Sequence, residues 1–272
     1  MLKLDQSFSH QGSSVAWGKM GKGYPLVLIH GTPFNSQVWR NIAPLLADHW
    51  EIFFFDLIGY GQSEMRPGQN VSLGVQNGLL AALLDHWKID RPDVLCHDFG
   101  GATALRAYHL DGLRYRKLTM VDPVAVAPWG SPFVSHVRKF EEAFAGLPEY
   151  AHEALLRAYI LGAANKPLHE QTLQTYMKPW MGDIGKAAFY RQIAQMDQRF
   201  TDEVEPLYGP MEGEVTLLWG EMDAWIPLER GEKLAARITN GNLVRVPNAG
   251  HLVQEDAPEA IVAAMLSGLL RR

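Results

Sequence analysis

The stretch Asp93-Val94-Leu95-Cys96-His97-Asp98-Phe99-Gly100-Gly101-Ala102 restricts the fold more than any other part of the chain. Val94, Leu95 and Cys96 read as the end of a buried strand. Gly100, Gly101 and Ala102 then open a helix that continues through Leu105 and Tyr108. A strand that becomes a helix this abruptly needs small residues two positions before and two after the apex of its turn. Cys96 and Gly100 fill those places, which leaves Asp98 at the apex. A carboxylate there narrows the chemistry more than any other single residue.

Around this turn the chain alternates strand and helix. Val15 to Met20 and Pro25 to His30 read as short strands separated by Gly21-Lys22-Gly23. The second is a continuous apolar run, as expected for a strand covered on both faces. Val38, Ile42, Leu45 and Leu46 follow at helical spacing. The strand EIFFFDL comes next, then the loop DLIGYGQSE, in which Asp56 reads as a structural hydrogen bonder. A helix carrying Leu73, Leu79, Leu80, Leu83 and Leu84 leads to the Asp98 strand, and KLTMVDP follows it as a further strand. Between about Pro128 and Phe200 only helical patterns occur: Val134, Val137, Phe140 and Phe144 on one face; Leu155, Leu156, Tyr159 and Ile160 on another; Ala188, Phe189, Ile193 and Met196 on a third. The alternation resumes with VTLLWGE, a helix over Leu228 to Ile238, NLVRVPN, and a last helix from Pro258 to Leu270. The expected fold class is α/β, a mostly parallel sheet with helices on both faces. Residues 1–128 and 201–272 form its core, and 129–200 form a helical cap over the sheet's carboxyl edge.

At 272 residues, 47% of them apolar, the chain is long enough for a substantial core. A net charge of -5 argues against nucleic acid and against a polybasic membrane patch. One cysteine excludes an internal disulfide and multi-cysteine metal sites. No metal-ligand spacing is visible, so neither metal nor cofactor is expected. With no apolar leader or membrane-length run, the expected location is the cytoplasm. The expected partner is a small-molecule substrate, and a homodimer stays open.

Two later loops follow strands and carry reactive groups: Met222-Asp223-Ala224-Trp225-Ile226-Pro227 and Ala249-Gly250-His251. Sites in open α/β sheets lie beyond the carboxyl ends of the strands. Asp98, Asp223 and His251 arrive there in the order nucleophile, acid, histidine. Asp122, in VDP, is an alternative charge partner for His251. The turn His30-Gly31-Thr32-Pro33 offers the backbone N–H of Thr32, and Phe99 offers a second, as an oxyanion hole. His30 reads as structural, orienting this loop, and is also counted among the expected substrate contacts.

These features resemble the α/β-hydrolase superfamily over essentially the whole chain. CHDFGG and HGTP are most similar to its Asp-nucleophile branch of epoxide hydrolases, haloalkane dehalogenases and fluoroacetate dehalogenases. The chemistry of the apex agrees. A carboxylate is already ionised at neutral pH and attacks without a base. Attack on an acyl group would give a high-energy anhydride, whereas attack on an electrophilic sp³ carbon gives an ordinary ester. His251, oriented by Asp223, would then activate water against that ester.

An epoxide opens to a basic alkoxide and benefits from a proton donor; a halide needs donors that solvate it. Lys186-Ala187-Ala188-Phe189-Tyr190-Arg191-Gln192, approached by Met177-Lys178-Pro179, resembles the cap motif in which epoxide hydrolases present a tyrosine before arginine. The resemblance therefore implies Tyr190 as proton donor, with packing in the cap as its alternative role. Trp129 and His136 are the other expected substrate contacts, Trp129 as a donor to a halide. Haloalkane dehalogenases resembling this chain place tryptophan after the nucleophile and Asn or Glu after His-Gly, where this chain has Phe99 and Thr32. Fluoroacetate dehalogenases place arginine after the nucleophile, but they share the Tyr-Arg cap motif, so Tyr190 alone does not separate them from epoxide hydrolases. Epoxide hydrolysis is thus the first expectation and dehalogenation the second. Another hydrolytic activity is the third, and a ligand-binding homologue without catalysis comes last.

Overall fold

The computed structural model describes residues 1–267. Eight strands form one sheet: β1 (Gln6–His10), β2 (Ser13–Gly21), β3 (Tyr24–Ile29), β4 (Trp50–Phe55), β5 (Asp93–His97), β6 (Lys117–Val121), β7 (Glu214–Gly220) and β8 (Val244–Val246). Their spatial order is β1-β2-β4-β3-β5-β6-β7-β8. β1, β2 and β4 pair antiparallel, and every pairing from β4 through β8 is parallel. β3 and β5 lie side by side at the centre, with Leu28 opposite Leu95 and Ile29 opposite Cys96. This register brings the His30 turn directly beside the Asp98 turn. Leu26 to Ile29 and Val94 to Cys96 are completely buried, which is why both strands read as unbroken apolar runs.

The helices around the sheet are α1 (Leu73–Trp87), α2 (Phe99–Leu110), α3 (Pro132–Lys139), α4 (Glu141–Ala145), α5 (Glu149–Leu161), α6 (Glu170–Met177), α7 (Gly182–Ala194), α8 (Leu228–Ile238) and α9 (Pro258–Ser267), with shorter helical turns between them. α3 to α7 occupy the interval between β6 and β7, and no strand interrupts it. The expected continuation of the last helix to Leu270 lies outside the described residues.

Two local expectations change. Val38, Ile42, Leu45 and Leu46 do not share one helix: a 3-10 turn at Ser36–Trp39, capped by Asn35, is followed by a separate helical turn at Ala43–Leu46 with proline in its first positions. Leu45 points to solvent, 61% exposed. β1 was hidden by its polarity; QSFSH is an edge strand paired on one side only.

Asp93 anchors the start of β5. Its carboxylate is fully buried and accepts from Trp50 Nε1 at 2.8 Å and Arg116 Nε at 2.8 Å, so it ties β4 and the approach to β6 to the central strand. Removing one partner of a buried ionic contact leaves the others desolvated and unpaired. Asp93→Ala is expected to lower stability by about 2–4 kcal/mol, measured by urea unfolding; a loss below about 0.5 kcal/mol would show the anchor to be dispensable.

Candidate active site

Asp98 stands between β5 and α2 with φ 52° and ψ −118°, a conformation costly for any residue bearing a Cβ. The neighbours keep it there. A Cβ on Gly100 would lie 2.4 Å from the carbonyl oxygen of Ile29, and one on Gly31 would lie 2.4 Å from Cβ of Asp98. Two glycines therefore let the β3 and β5 turns pack in direct contact.

The carboxylate so presented is 3% exposed. Its Oδ1 accepts from Thr32 N–H at 2.7 Å, and its Oδ2 lies 3.4 Å from Nε2 of His251. His251 is fully buried and meets Asp223 Oδ2 through Nδ1 at 2.8 Å. Asp223 Oδ1 in turn accepts from the N–H groups of Trp225 at 2.8 Å and Ile226 at 2.9 Å. The structure thus brings Asp98, His251 and Asp223 into one chain of contacts, with Thr32 at the expected place. Burial alone would raise the pKa of Asp98. The His251 hydrogen bond and charge outweigh it, with help from Phe99 N–H, and hold the carboxyl below its ordinary value. Burial disfavours a charge on His251, but Asp223 and then Asp98 more than offset it and push its pKa well above the ordinary one.

Asp122 is not the partner of His251. It is buried, with Oδ1 on Gly220 N–H at 2.9 Å. Burial, then the Asp223 charge, raises its pKa well above its ordinary value and so favours its neutral form. His30 is structural, and its expected place among the substrate contacts does not hold. Nδ1–H donates to Gly31 O at 2.9 Å, while Nε2 accepts from Leu57 N–H at 2.9 Å, so both ring nitrogens are used inside the loops. Asp56 fixes the same region through Ser36 N–H and Gln62 N–H, both at 2.7 Å. His97 lies behind His251, bonded to its carbonyl oxygen at 2.9 Å, and burial lowers its pKa to about 3. The His251 loop has its own brace, which the sequence did not advertise: buried Asp256 accepts from Gly250 N–H and from the backbone of Asn165, both at 2.8 Å.

Asp98 opens onto a cavity of about 260 Å³ lined mainly by apolar and aromatic side chains, among them Phe99, Trp129, Phe133, Tyr159, Met196 and Trp225. Among the described residues no lysine or arginine lines it. A larger cleft of about 660 Å³, near Met1 and Lys178, holds no nucleophile-and-base pair. No group of three or more His, Cys, Asp or Glu among the described residues is placed to hold a metal ion. No described helix is long and apolar enough to cross a membrane.

The expected contacts from the inserted helices need correction. Tyr190 is fully buried, does not line the cavity, and hydrogen-bonds Nδ1 of His152 at 3.0 Å. His152 Nε2–H donates to Trp180 O at 2.9 Å, so Nδ1 is the acceptor and the Tyr190 proton is committed. His136 is exposed on α3 against Phe140 and Phe144, facing an outer groove. Trp129 does line the cavity, but its indole N–H donates to Thr201 Oγ1 at 2.7 Å. The tyrosine at the cavity is Tyr159, on α5. Burial, then the Asp98 charge, raises its pKa, so the phenol stays protonated at neutral pH. It stacks on Trp225 at 4.7 Å, and Trp225 stacks on His251 at 5.0 Å.

The family described as the alpha/beta hydrolase fold matches residues 24–258. The chain is an α/β hydrolase. An alpha/beta hydrolase fold protein from Burkholderia ambifaria is 60% identical, with 98% of each chain covered and a TM-score of 0.97. Haloalkane dehalogenase 2 of Mycobacterium tuberculosis (strain ATCC 25618 / H37Rv) is 26% identical over 262 residues, covering 90% of this hydrolase and 88% of the relative. The epoxide hydrolase CorEH shares the fold at 22% identity, with 96% of each chain covered and a TM-score of 0.75.

Tyr190→Phe removes one buried hydrogen bond and nothing that touches the cavity. It is expected to cost about 1 kcal/mol of stability while hydrolytic turnover stays as in the parent. Chemical denaturation and rate assays with epoxide and haloalkane substrates check both; slowed turnover would return Tyr190 to the site.

Proposed function

We propose that this α/β hydrolase opens a neutral, apolar epoxide through a covalent ester on Asp98. The observation that carries the reading is a carboxylate at the apex of the turn between β5 and α2, with one oxygen on Thr32 N–H and the other facing His251, at the mouth of an apolar cavity. A carboxylate in that place favours an sp³ electrophile over an acyl one. The lack of a cation among the described residues lining the cavity argues against a substrate carboxylate, because an uncompensated charge would be desolvated there. Helices α3 to α7 act as the cap that supplies the cavity's outer wall.

In this reaction Asp98 Oδ2 attacks one epoxide carbon, the carbon–oxygen bond breaks, and the leaving oxygen takes the Tyr159 proton. Water then adds to Cγ of the ester and gives a proton to His251 Nε2. Negative charge gathers on Oδ1, facing the N–H groups of Thr32 and Phe99. Collapse releases the diol, whose new hydroxyl oxygen comes from Asp98 and takes the His251 proton; the proton left on Asp98 returns to Tyr159. The likeness to a haloalkane dehalogenase supports a second reading, with a halide as leaving group and the same ester. The committed Trp129 indole and the apolar Phe99 favour the first.

Three expected outcomes test this. His251→Gln incubated with styrene oxide gains the mass of one epoxide, located on Asp98 by peptide mapping. In a single turnover in ¹⁸O-water, label enters Asp98 and not the first diol released; direct labelling of the diol would sink the covalent ester. Tyr159→Phe slows epoxide opening by about a hundredfold or more, as loss of a positioned acid should; an unchanged rate measured by quenched flow removes Tyr159 from the chemistry.

The pH dependence has a definite sign. Asp98 stays ionised through mildly acid pH because its pKa is lowered. His251 must be neutral to take the water proton. In the ester it loses the Asp98 contribution, which lowers its pKa from the raised value of the free enzyme, while Asp223 continues to favour the protonated form. Falling pH therefore stalls hydrolysis before alkylation. Alkyl-enzyme is expected to build up during turnover at about pH 5.5 and to be scarce at about pH 8.5; intact mass after acid quench reads both, and the reverse order would contradict the assignment.

A further inference from the structure

Thr32 N–H is aimed at Asp98 Oδ1, yet the loop that carries it is held partly by the inserted helices. Thr32 Oγ1 donates to Gln192 Oε1 on α7 at 2.6 Å, and Trp180 Nε1, just before α7, donates to Pro33 O at 2.7 Å. Tyr60 O–H donates to the same Gln192 oxygen at 3.1 Å and packs edge-on to Trp180 and His30. Gln192 is 2% exposed, and its Nε2 has no partner among the described residues. Its amide is thus held through the oxygen alone, by two hydroxyls from the core.

We infer that Gln192, with Trp180, is a positioning residue through which the inserted helices set the Thr32 oxyanion donor for the ester-hydrolysis step. The inference rests on the proposed covalent reaction. While Asp98 is a free carboxylate, its charge anchors Thr32 N–H by a charge-assisted bond. Alkylation turns Oδ1 into a neutral ester carbonyl, a weaker acceptor, and the loop loses that anchor. The clamp then keeps the N–H aimed until charge returns to Oδ1 in the tetrahedral intermediate. Displacing the inserted helices breaks the clamp, so the oxyanion hole is complete only while they are seated.

The test separates the two half-reactions. Gln192→Leu is expected to alkylate with styrene oxide within about threefold of the parent rate, but to hydrolyse the adduct about tenfold to a hundredfold more slowly, a fraction of the loss of a whole oxyanion donor. Alkyl-enzyme therefore accumulates, as read by quenched-flow mass spectrometry, with thermal melts to confirm folding. Thr32→Val should show the same split if Gln192→Leu does not fold, and Thr32→Ser, which keeps the hydroxyl, should hydrolyse at least tenfold faster than Thr32→Val. Equal slowing of both steps, or of neither, overturns the clamp. If His251→Gln forms no adduct at all, the covalent reaction itself has failed, and the clamp is judged by amide exchange at Thr32. Faster exchange in Gln192→Leu than in the parent upholds it, and unchanged exchange overturns it.

Discussion

The contact between Thr32 N–H and the Asp98 carboxylate is the constraint on which the rest depends. It requires the turns after β3 and β5 to meet with almost no side chain between them, hence Gly31 and Gly100, and it requires Asp98 in a backbone conformation that disfavours a Cβ. Such a conformation persists only if the flanking elements over-determine it. The flanking strands are the two central ones, buried on both faces and tied at their base by Asp93. The stiffness of the sheet is what keeps the apex strained and the carboxylate in place.

A second constraint is electrostatic. Asp98, His251 and Asp223 are all nearly or fully buried, and three such groups cannot be charged independently. The arrangement resolves this by placing the imidazole between two carboxylates, each on a different nitrogen, and by spreading the Asp223 charge over two backbone N–H groups. Asp122, also buried beside Asp223, is pushed the other way, toward its neutral form. The Trp225 ring lying on His251 closes one side of the imidazole to water.

Residues whose place follows from the α/β frame were legible in the sequence: the strands β2 to β8, the Asp98 turn, and Asp223 and His251 at strand ends. Each depends on periodicity or on glycine at a fixed offset, which are local properties. The inserted helices were legible as helices but not in their rotation. Tyr190 and Tyr159 both sit on apolar helical faces, and only tertiary packing decides that the first meets His152 and the second meets the cavity. Gln192 carried no signal, because a glutamine beside Tyr-Arg looks like any polar helix position until Thr32, 160 residues away, reaches it. β1 failed for the opposite reason: an edge strand with one neighbour needs no apolar run.

In the proposed reaction these constraints act in sequence. Before attack, the imidazole shares two carboxylates, and its raised pKa favours the charged form that neutralises the nucleophile's surroundings. Alkylation removes one of those carboxylates as a charge. The same event weakens the hold of Asp98 on Thr32 N–H and lowers the affinity of His251 for its proton. The chemical step thus converts the imidazole from counter-ion toward base, with no group moving further than a hydrogen bond. A serine at the apex could not drive that switch, because it is neutral both before and after acylation. The aspartate therefore does more than select an sp³ electrophile; its loss of charge tells the histidine when water should be activated.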